Sequence, residues 1–163
     1  MRIKISSGTE PFFDSIESPV GVLYLIFSGR SLSGISFERP LCRRGQAPDS
    51  FRKELNEYFG GKREDFSQAT VFLEGTDFEK KVWLSLKDIP YGETRTYKWV
   101  AEKIGSPKAN RAVGQALGKN PIPIVLPCHR VIESDGSVGG YSSGVDIKRR
   151  LLEIEYYAKL AKR

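Results

Sequence analysis

The residues best equipped for chemistry stand side by side. Cys128 and His129 are adjacent, and His129 is the single histidine of the chain. A thiol ionises at about pH 8.5 and becomes a strong nucleophile once its proton is removed. Imidazole, with a pKa of about 6.5, is a suitable acceptor for that proton. Adjacent side chains do not normally face each other. The pair would therefore communicate through a water, with a carboxylate orienting the imidazole. Adjacency alone leaves open an inert, buried cysteine beside a histidine that fills a polar gap. Cys42 is the only other cysteine. Two cysteines and one histidine are too few for a zinc enzyme or a disulfide framework, so no metal is expected. Carboxylate sites for magnesium or calcium stay open, although no calcium-loop or phosphate-loop spacing occurs.

The elements around this pair must position it. Residues 120–127 contain Pro121, Pro123 and Pro127, which predicts a stiff, extended connection. Its Ile122, Ile124, Val125 and Leu126 call for burial. Upstream, Thr76 or Asp77 can cap a helix carrying Phe78, Val82, Trp83 and Leu86, and Pro90-Tyr91-Gly92 reads as a turn. Thr94 or Thr96 can cap a helix through Trp99, Val100 and Ile104 to Gly105. Ser106-Pro107 then starts another, with Pro at its first position, running to Gly118. This pair resembles a helix-turn-helix. In its second helix Ala109, Ala112 and Gly114 are small and Lys108 and Arg111 are basic, which suits close approach to a nucleic-acid groove or to a neighbouring helix. Gly136–Gly144 reads as a glycine and serine loop. The last helix begins near Asp146, with Ile147, Leu151, Ile154 and Tyr156 or Tyr157 on its apolar side.

The first part reads as mixed strand and helix. Val22–Phe27 and Leu32–Phe37 form a predicted hairpin, and Pro40–Pro48 a loop. A helix capped by Asp49 or Ser50 carries Phe51, Leu55, Tyr58 and Phe59 and ends at Gly60-Gly61. Val71–Leu73 is a short predicted strand, and Gly75 a boundary. With 163 residues, 39% of them hydrophobic, the chain can form one ordinary domain or two small ones. We divide it into residues 1–75 and 76–163. The first stretch holds 10 basic and 10 acidic residues, the second 16 and 10, so the whole net charge of +6 belongs to the second. Such an excess attracts phosphate backbones or simply forms a solvated surface. No apolar run is long enough for a membrane span, and Met1-Arg2-Ile3-Lys4-Ile5 has no apolar segment behind it. An intracellular, cytoplasmic protein is expected.

Pro127-Cys128-His129-Arg130-Val131 resembles the active-site signature of the O6-alkylguanine-DNA alkyltransferases, or methylated-DNA–cysteine methyltransferases. Asn120-Pro121-Ile122-Pro123-Ile124, Tyr91-Gly92-Glu93-Thr94, Arg111-Ala112-Val113-Gly114 and Val138-Gly139-Gly140-Tyr141-Ser142 are similar to that family in order and spacing. The resemblance is strong from about Phe78 to Glu155 and weaker before Gly75. It implies an α+β protein, with an N-terminal mixed α/β, ribonuclease H-like support domain. The C-terminal domain would be mostly helical and winged helix-turn-helix-like, holding the DNA-binding surface and the thiol.

By that resemblance Cys128 is the alkyl acceptor, and His129 is the base acting through water. Glu155 orients the histidine, although Glu153 lies close enough for a slip of register. Asn120 braces the active-site turn. Tyr97 crowds the target phosphate and donates a proton to the leaving guanine. Arg111 fills the space left by the extracted nucleotide, with Lys108, Ala109, Ala112 and Gly114 at the DNA surface. Tyr141 and Ser142 close on the base, and the Val125 and Cys128 carbonyls read the guanine amino group. The partner implied is double-stranded DNA with O6-alkylguanine, with O4-alkylthymine as a second lesion. The protein would act as a monomer, once, with no cofactor. A damage-recognition module without transfer is the alternative, and the retained Cys128 argues against it. A thiol hydrolase ranks last, since no substrate-site signal supports it. Cys42 reads as a loop or packing residue.

Overall fold

The computed structural model describes residues 10–162, so the Met1–Ile5 segment and Arg163 lie outside the described residues. It divides into two compact units, Met1–Glu74 and Gly75–Arg163. The architecture is α+β, a sheet unit followed by a helical unit.

In the first unit strands β1 (Phe12–Ser18), β2 (Gly21–Ser28), β3 (Ser31–Ser36) and β4 (Arg43–Arg44) form one sheet in the order β3-β2-β1-β4. β1, β2 and β3 are antiparallel neighbours, while β4 runs parallel to β1. A register shift at Ile26/Phe27 lets consecutive residues of β2 both be buried, against the usual alternation. Helix α1 (Asp49–Phe59) buries Phe51, Leu55 and Tyr58, and Phe51 packs edge-on against Phe27. Its Glu54 is also buried, accepting from the Ser67 and Gln68 N–H groups and pairing with Arg63.

Four expectations change here. β1 has no counterpart in the sequence reading, because Asp14, Ser15 and Glu17 interrupt its apolar pattern. The Pro40–Pro48 loop contains β4. Pro48, with no side-chain cap, precedes α1, and Asp49 lies in its first turn instead of capping it. Val71–Leu73 is not a strand: Leu32 bridges Thr70 and bonds Ala69 and Val71, which is too little pairing to extend a ladder.

In the second unit, α2 (Asp77–Ser85) starts with a capping box. Thr76 Oγ1 accepts from the Glu79 N–H, and the Glu79 carboxylate accepts from the Thr76 N–H. A short parallel pair, β5 (Arg95–Thr96) with β6 (Val131–Ile132), leads into α3 (Tyr97–Lys103). Thr96 caps α3 by accepting from the Trp99 N–H at 3.1 Å. Helix α4 (Asn110–Gly118) begins at Asn110, not Pro107; Pro107 belongs to the turn before it. The buried Trp83 indole donates to the Ala116 carbonyl at 2.7 Å and pins α4 to α2. Helix α5 (Val145–Ala161) buries Lys148, Leu151 and Glu155, while Tyr156 and Tyr157 are exposed. The buried face was expected to be apolar; two of its three residues are ionisable, because that face meets a polar site. Among the described residues no helix is long and apolar enough to cross a membrane.

Candidate active site

Residues 120–127 form a compact turn, where an extended connection was expected. Asn120 accounts for the difference. Its Nδ2 donates to the Leu126 carbonyl at 2.8 Å, and its Oδ1 accepts from the Ile122 N–H at 3.0 Å. One side chain thereby supplies the partners that a proline-rich backbone cannot supply for itself. Ile124 adopts φ 77°, a left-handed conformation that a β-branched residue rarely takes. Burial of Ile122, Ile124 and Leu126 holds it there. The turn delivers Cys128–Arg130 as a single 3-10 turn, with all three side chains buried.

Behind the thiol lies a buried polar cluster. His129 Nε2 stands 2.6 Å from Glu155 Oε2. Arg130 Nε donates to Glu155 Oε1 at 2.8 Å and its Nη2 to Oε2 at 3.0 Å, a bidentate grip. Arg130 Nη1 reaches the Ile89 carbonyl at 2.8 Å, and the Gly92 N–H donates to Glu155 at 3.1 Å. Burial alone would raise the Glu155 pKa; the His129 and Arg130 contacts outweigh it and hold the carboxyl far below its usual range. Burial also lowers the His129 pKa, against the pull of Glu155. The state that fits both is a neutral imidazole donating from Nε2 to an ionised Glu155. Nδ1 is then the free acceptor, and it is buried with no protein partner. A neutral base with a lone pair and no protein donor suits a bridging water. Glu153 instead pairs with Arg150 at the surface.

Cys128 opens onto a pocket of about 230 Å³ lined by Tyr97, Gly114, Leu117, Gly118, Gly140, Tyr141 and Ser142. Burial pushes its thiol pKa up, while the Asn120 and Tyr141 side chains and the Lys148 ammonium pull it down. Tyr141 is drawn well above its ordinary range by burial first and Cys128 second, so its hydroxyl stays protonated. That hydroxyl is buried beside the thiol without completing a well-formed hydrogen bond. Gly139 lets the loop close on Tyr97: its φ is 75°, and a Cβ there would lie 3.1 Å from Tyr97 Oη.

A second concavity, about 480 Å³ and more open, shares Tyr97 and Gly114 with the first and adds Arg111, Lys98, Asn110 and Glu133. Arg111, Ala112 and Lys108 are exposed there or close by in sequence, and Ala109 is half-buried at the start of α4. Val125 is half-buried and is not among the residues lining either concavity. Arg130 and Lys148 had no assigned role in the sequence reading. Arg130 stood inside the quoted motif. Lys148 had a subtler signal: it is seven residues before Glu155, hence on the same helical face. Among the described residues no group of His, Cys, Asp and Glu is placed to hold a metal ion.

Residues 77–157 match the family model for the 6-O-methylguanine DNA methyltransferase DNA-binding domain, and residues 12–71 that for the ribonuclease-like domain of the same family. A methylated-DNA–protein-cysteine methyltransferase from Methanosarcina barkeri is 47% identical over 153 residues, spanning 88% of this chain and 96% of that protein. The crystal structure of the Mycobacterium tuberculosis O6-methylguanine methyltransferase is 40% identical, covers 91% of this chain and 94% of its own, and superposes with a TM-score of 0.85. The Mycobacterium tuberculosis OGT in complex with DNA is 41% identical, with 90% and 94% covered and a TM-score of 0.85.

Proposed function

The chain belongs to the 6-O-methylguanine DNA methyltransferase family, and from that premise we propose that Cys128 takes the alkyl group of O6-alkylguanine in duplex DNA, once and irreversibly. It is a DNA-repair alkyltransferase. The observation that carries the residue assignment is the thiol at the floor of a base-sized pocket, next to a buried histidine whose outer nitrogen has no protein partner.

The damaged base is extracted from the stack, since the alkyl carbon is out of reach inside the duplex. Arg111 fills the vacated space, and the small residues Ala109, Ala112 and Gly114 allow close approach, with Lys108 near the backbone. Tyr141, Ser142 and the Val125 and Cys128 carbonyls hold the base. Asn120 fixes the turn that presents the sulfur. His129 takes the thiol proton through a water, and Glu155 stabilises the imidazolium that results. An S–C bond forms as the C–O6 bond breaks, and the electron pair leaves on guanine. A proton from Tyr97 balances the one Cys128 gave up. The thioether product is a poor leaving group, so the protein is spent. O4-alkylthymine presents the same reactive carbon and is the second lesion class. Monomeric action completes the reading, supported by a site whose parts all lie within Gly75–Arg163 of one chain, and the cytoplasm is the compartment we assign to it.

Intact-protein mass after incubation with duplex DNA containing O6-methylguanine tests it. One methylene, about 14 Da, should appear on Cys128 by peptide mapping, as covalent capture by a thiolate requires. Cys128→Ser should abolish transfer and keep DNA binding. Binding without any mass change in the reduced wild-type protein would favour damage recognition alone.

A further inference from the structure

Glu133 stands at the head of the turn that follows β6. Its N–H donates to the Ser137 carbonyl and its own carbonyl accepts from the Gly136 N–H, both at 3.0 Å. Asp135 stiffens the same turn by accepting from the Ser137 N–H and hydroxyl. Glu133 is exposed and lines the larger concavity with Tyr97, Lys98 and Arg111. A Cβ at Gly139 would meet Tyr97 Oη at 3.1 Å and Glu133 Oε1 at 3.4 Å, so phenol and carboxylate crowd one point. Burial first and Glu133 second hold that phenol above its ordinary pKa. Among the described residues the Glu133 carboxylate forms no ion pair, although two cations share its concavity. An unmatched anion in the groove of a basic unit opposes DNA, and such repulsion fixes register and selects among arrangements.

The two concavities share Tyr97 and Gly114. Base extraction swings the target nucleotide about its backbone. With its base in the thiol pocket, that nucleotide carries its flanking phosphates across the shared edge into the larger concavity. Resting on the repair function above, we propose that Glu133 is a positioning residue for the DNA backbone. Its carboxylate repels a phosphate flanking the extracted nucleotide and confines it to the side of Lys98 and Arg111. The cations come from α3 and α4 and the anion from the turn after β6, so the concavity offers the phosphate one favourable side. The other charged groups nearby do not take this part. Asp135 is committed to Ser137 and does not line the concavity, and Lys148 is buried.

The test measures Kd for the full chain carrying Cys128→Ser, with and without Glu133→Gln. The duplexes hold O6-methylguanine between natural phosphates, or with a neutral methylphosphonate on its 5′ or its 3′ side. Glu133 is exposed and its carboxylate pairs with nothing, so the substitution leaves the fold intact. With natural phosphates Glu133→Gln should tighten binding about two- to fivefold, the size of an exposed charge pair. That gain should shrink at about 1 M salt, where charges are screened beyond about 3 Å. It should vanish with one of the two methylphosphonates. No gain, or a gain that survives both methylphosphonates, overturns the proposal. In protein that keeps Cys128, Glu133→Gln should slow methyl transfer from saturating natural duplex, because the phosphate is no longer confined. Unchanged or faster transfer overturns the positioning role. The repair reading fails separately, if the parent protein takes up no methyl group from the duplex.

Discussion

At the scale of single residues, the decisive pairing is between a neutral histidine and an ionised carboxylate. Glu155 takes hydrogen bonds from His129, Arg130 and the Gly92 N–H, so replacing it disturbs three groups at once. Glu155→Gln leaves Arg130 buried without its counterion, which should cost about 3–5 kcal/mol of stability. It should also slow Cys128 methylation by about tenfold or more, because the imidazolium loses its stabilising partner. Thermal melting and single-turnover rates check both. Arg111 is exposed in the open concavity beside Tyr97. Arg111→Ala should impair transfer from duplex DNA more than Lys98→Ala, a change at an exposed lysine of the same groove. Equal losses would assign Arg111 a general electrostatic role instead of one in base extraction.

At the scale of elements, the proline-rich turn acts as a rigid mount. Asn120 closes it from both ends, and Ile124 keeps a left-handed backbone inside it. Asn120→Ala leaves a carbonyl and an N–H without partners, at a cost of about 1–3 kcal/mol. The expected result is a lower melting temperature together with slower transfer, since the thiol is carried on the loosened segment. The pocket loop has the opposite requirement, a lack of bulk. A Gly139→Val substitution forces φ 75° on a β-branched residue and places a Cβ against Tyr97 Oη. It should slow methyl transfer while leaving DNA affinity near that of the parent, which a binding assay beside a rate assay would separate.

At the scale of the whole molecule, charge and burial set the response to solution conditions. His129 has a folded pKa below its ordinary 6.5, so the unfolded chain takes up a proton that the folded chain refuses. Glu155 has a folded pKa below its ordinary 4.5, which acts in the same direction. Stability from the cluster is therefore complete above about pH 6.5 and is lost as pH falls, first through histidine and then through the carboxylate. Melting temperature against pH should show this acid limb, and Glu155→Gln should flatten its lower part. The net charge of +6 lies wholly in residues 76–163. DNA affinity should accordingly fall linearly in log Kd against log salt, by counterion release.

Much of this molecule was legible in the order of its residues. Thr76 or Asp77, Thr94 or Thr96, Gly105 and the apolar spacing of Phe51, Leu55 and Tyr58 marked helices, because capping and periodicity are local properties of a chain, while the choice of Thr76 and Thr96 as the caps came with the folded structure. The thiol and its histidine stood out as neighbours, but adjacency alone left an inert cysteine open, and only the resemblance carried by Pro127-Cys128-His129-Arg130-Val131 and the motifs around it implied a role for them. Other features depended on partners distant in sequence. β1 is held by a neighbouring strand despite its polar interruptions, and Val71–Leu73 fails as a strand because only Leu32 meets that segment. The proline segment folds into a turn because one asparagine satisfies both its ends. On α5 the apolar spacing of Ile147, Leu151 and Ile154 left the burial of Lys148 unmarked, because a sequence shows which residues are ionisable but not which are paired. Burial of Lys148, Glu155 and Arg130 is stable only where their partners converge from residues 89 to 155, and that convergence belongs to the tertiary structure.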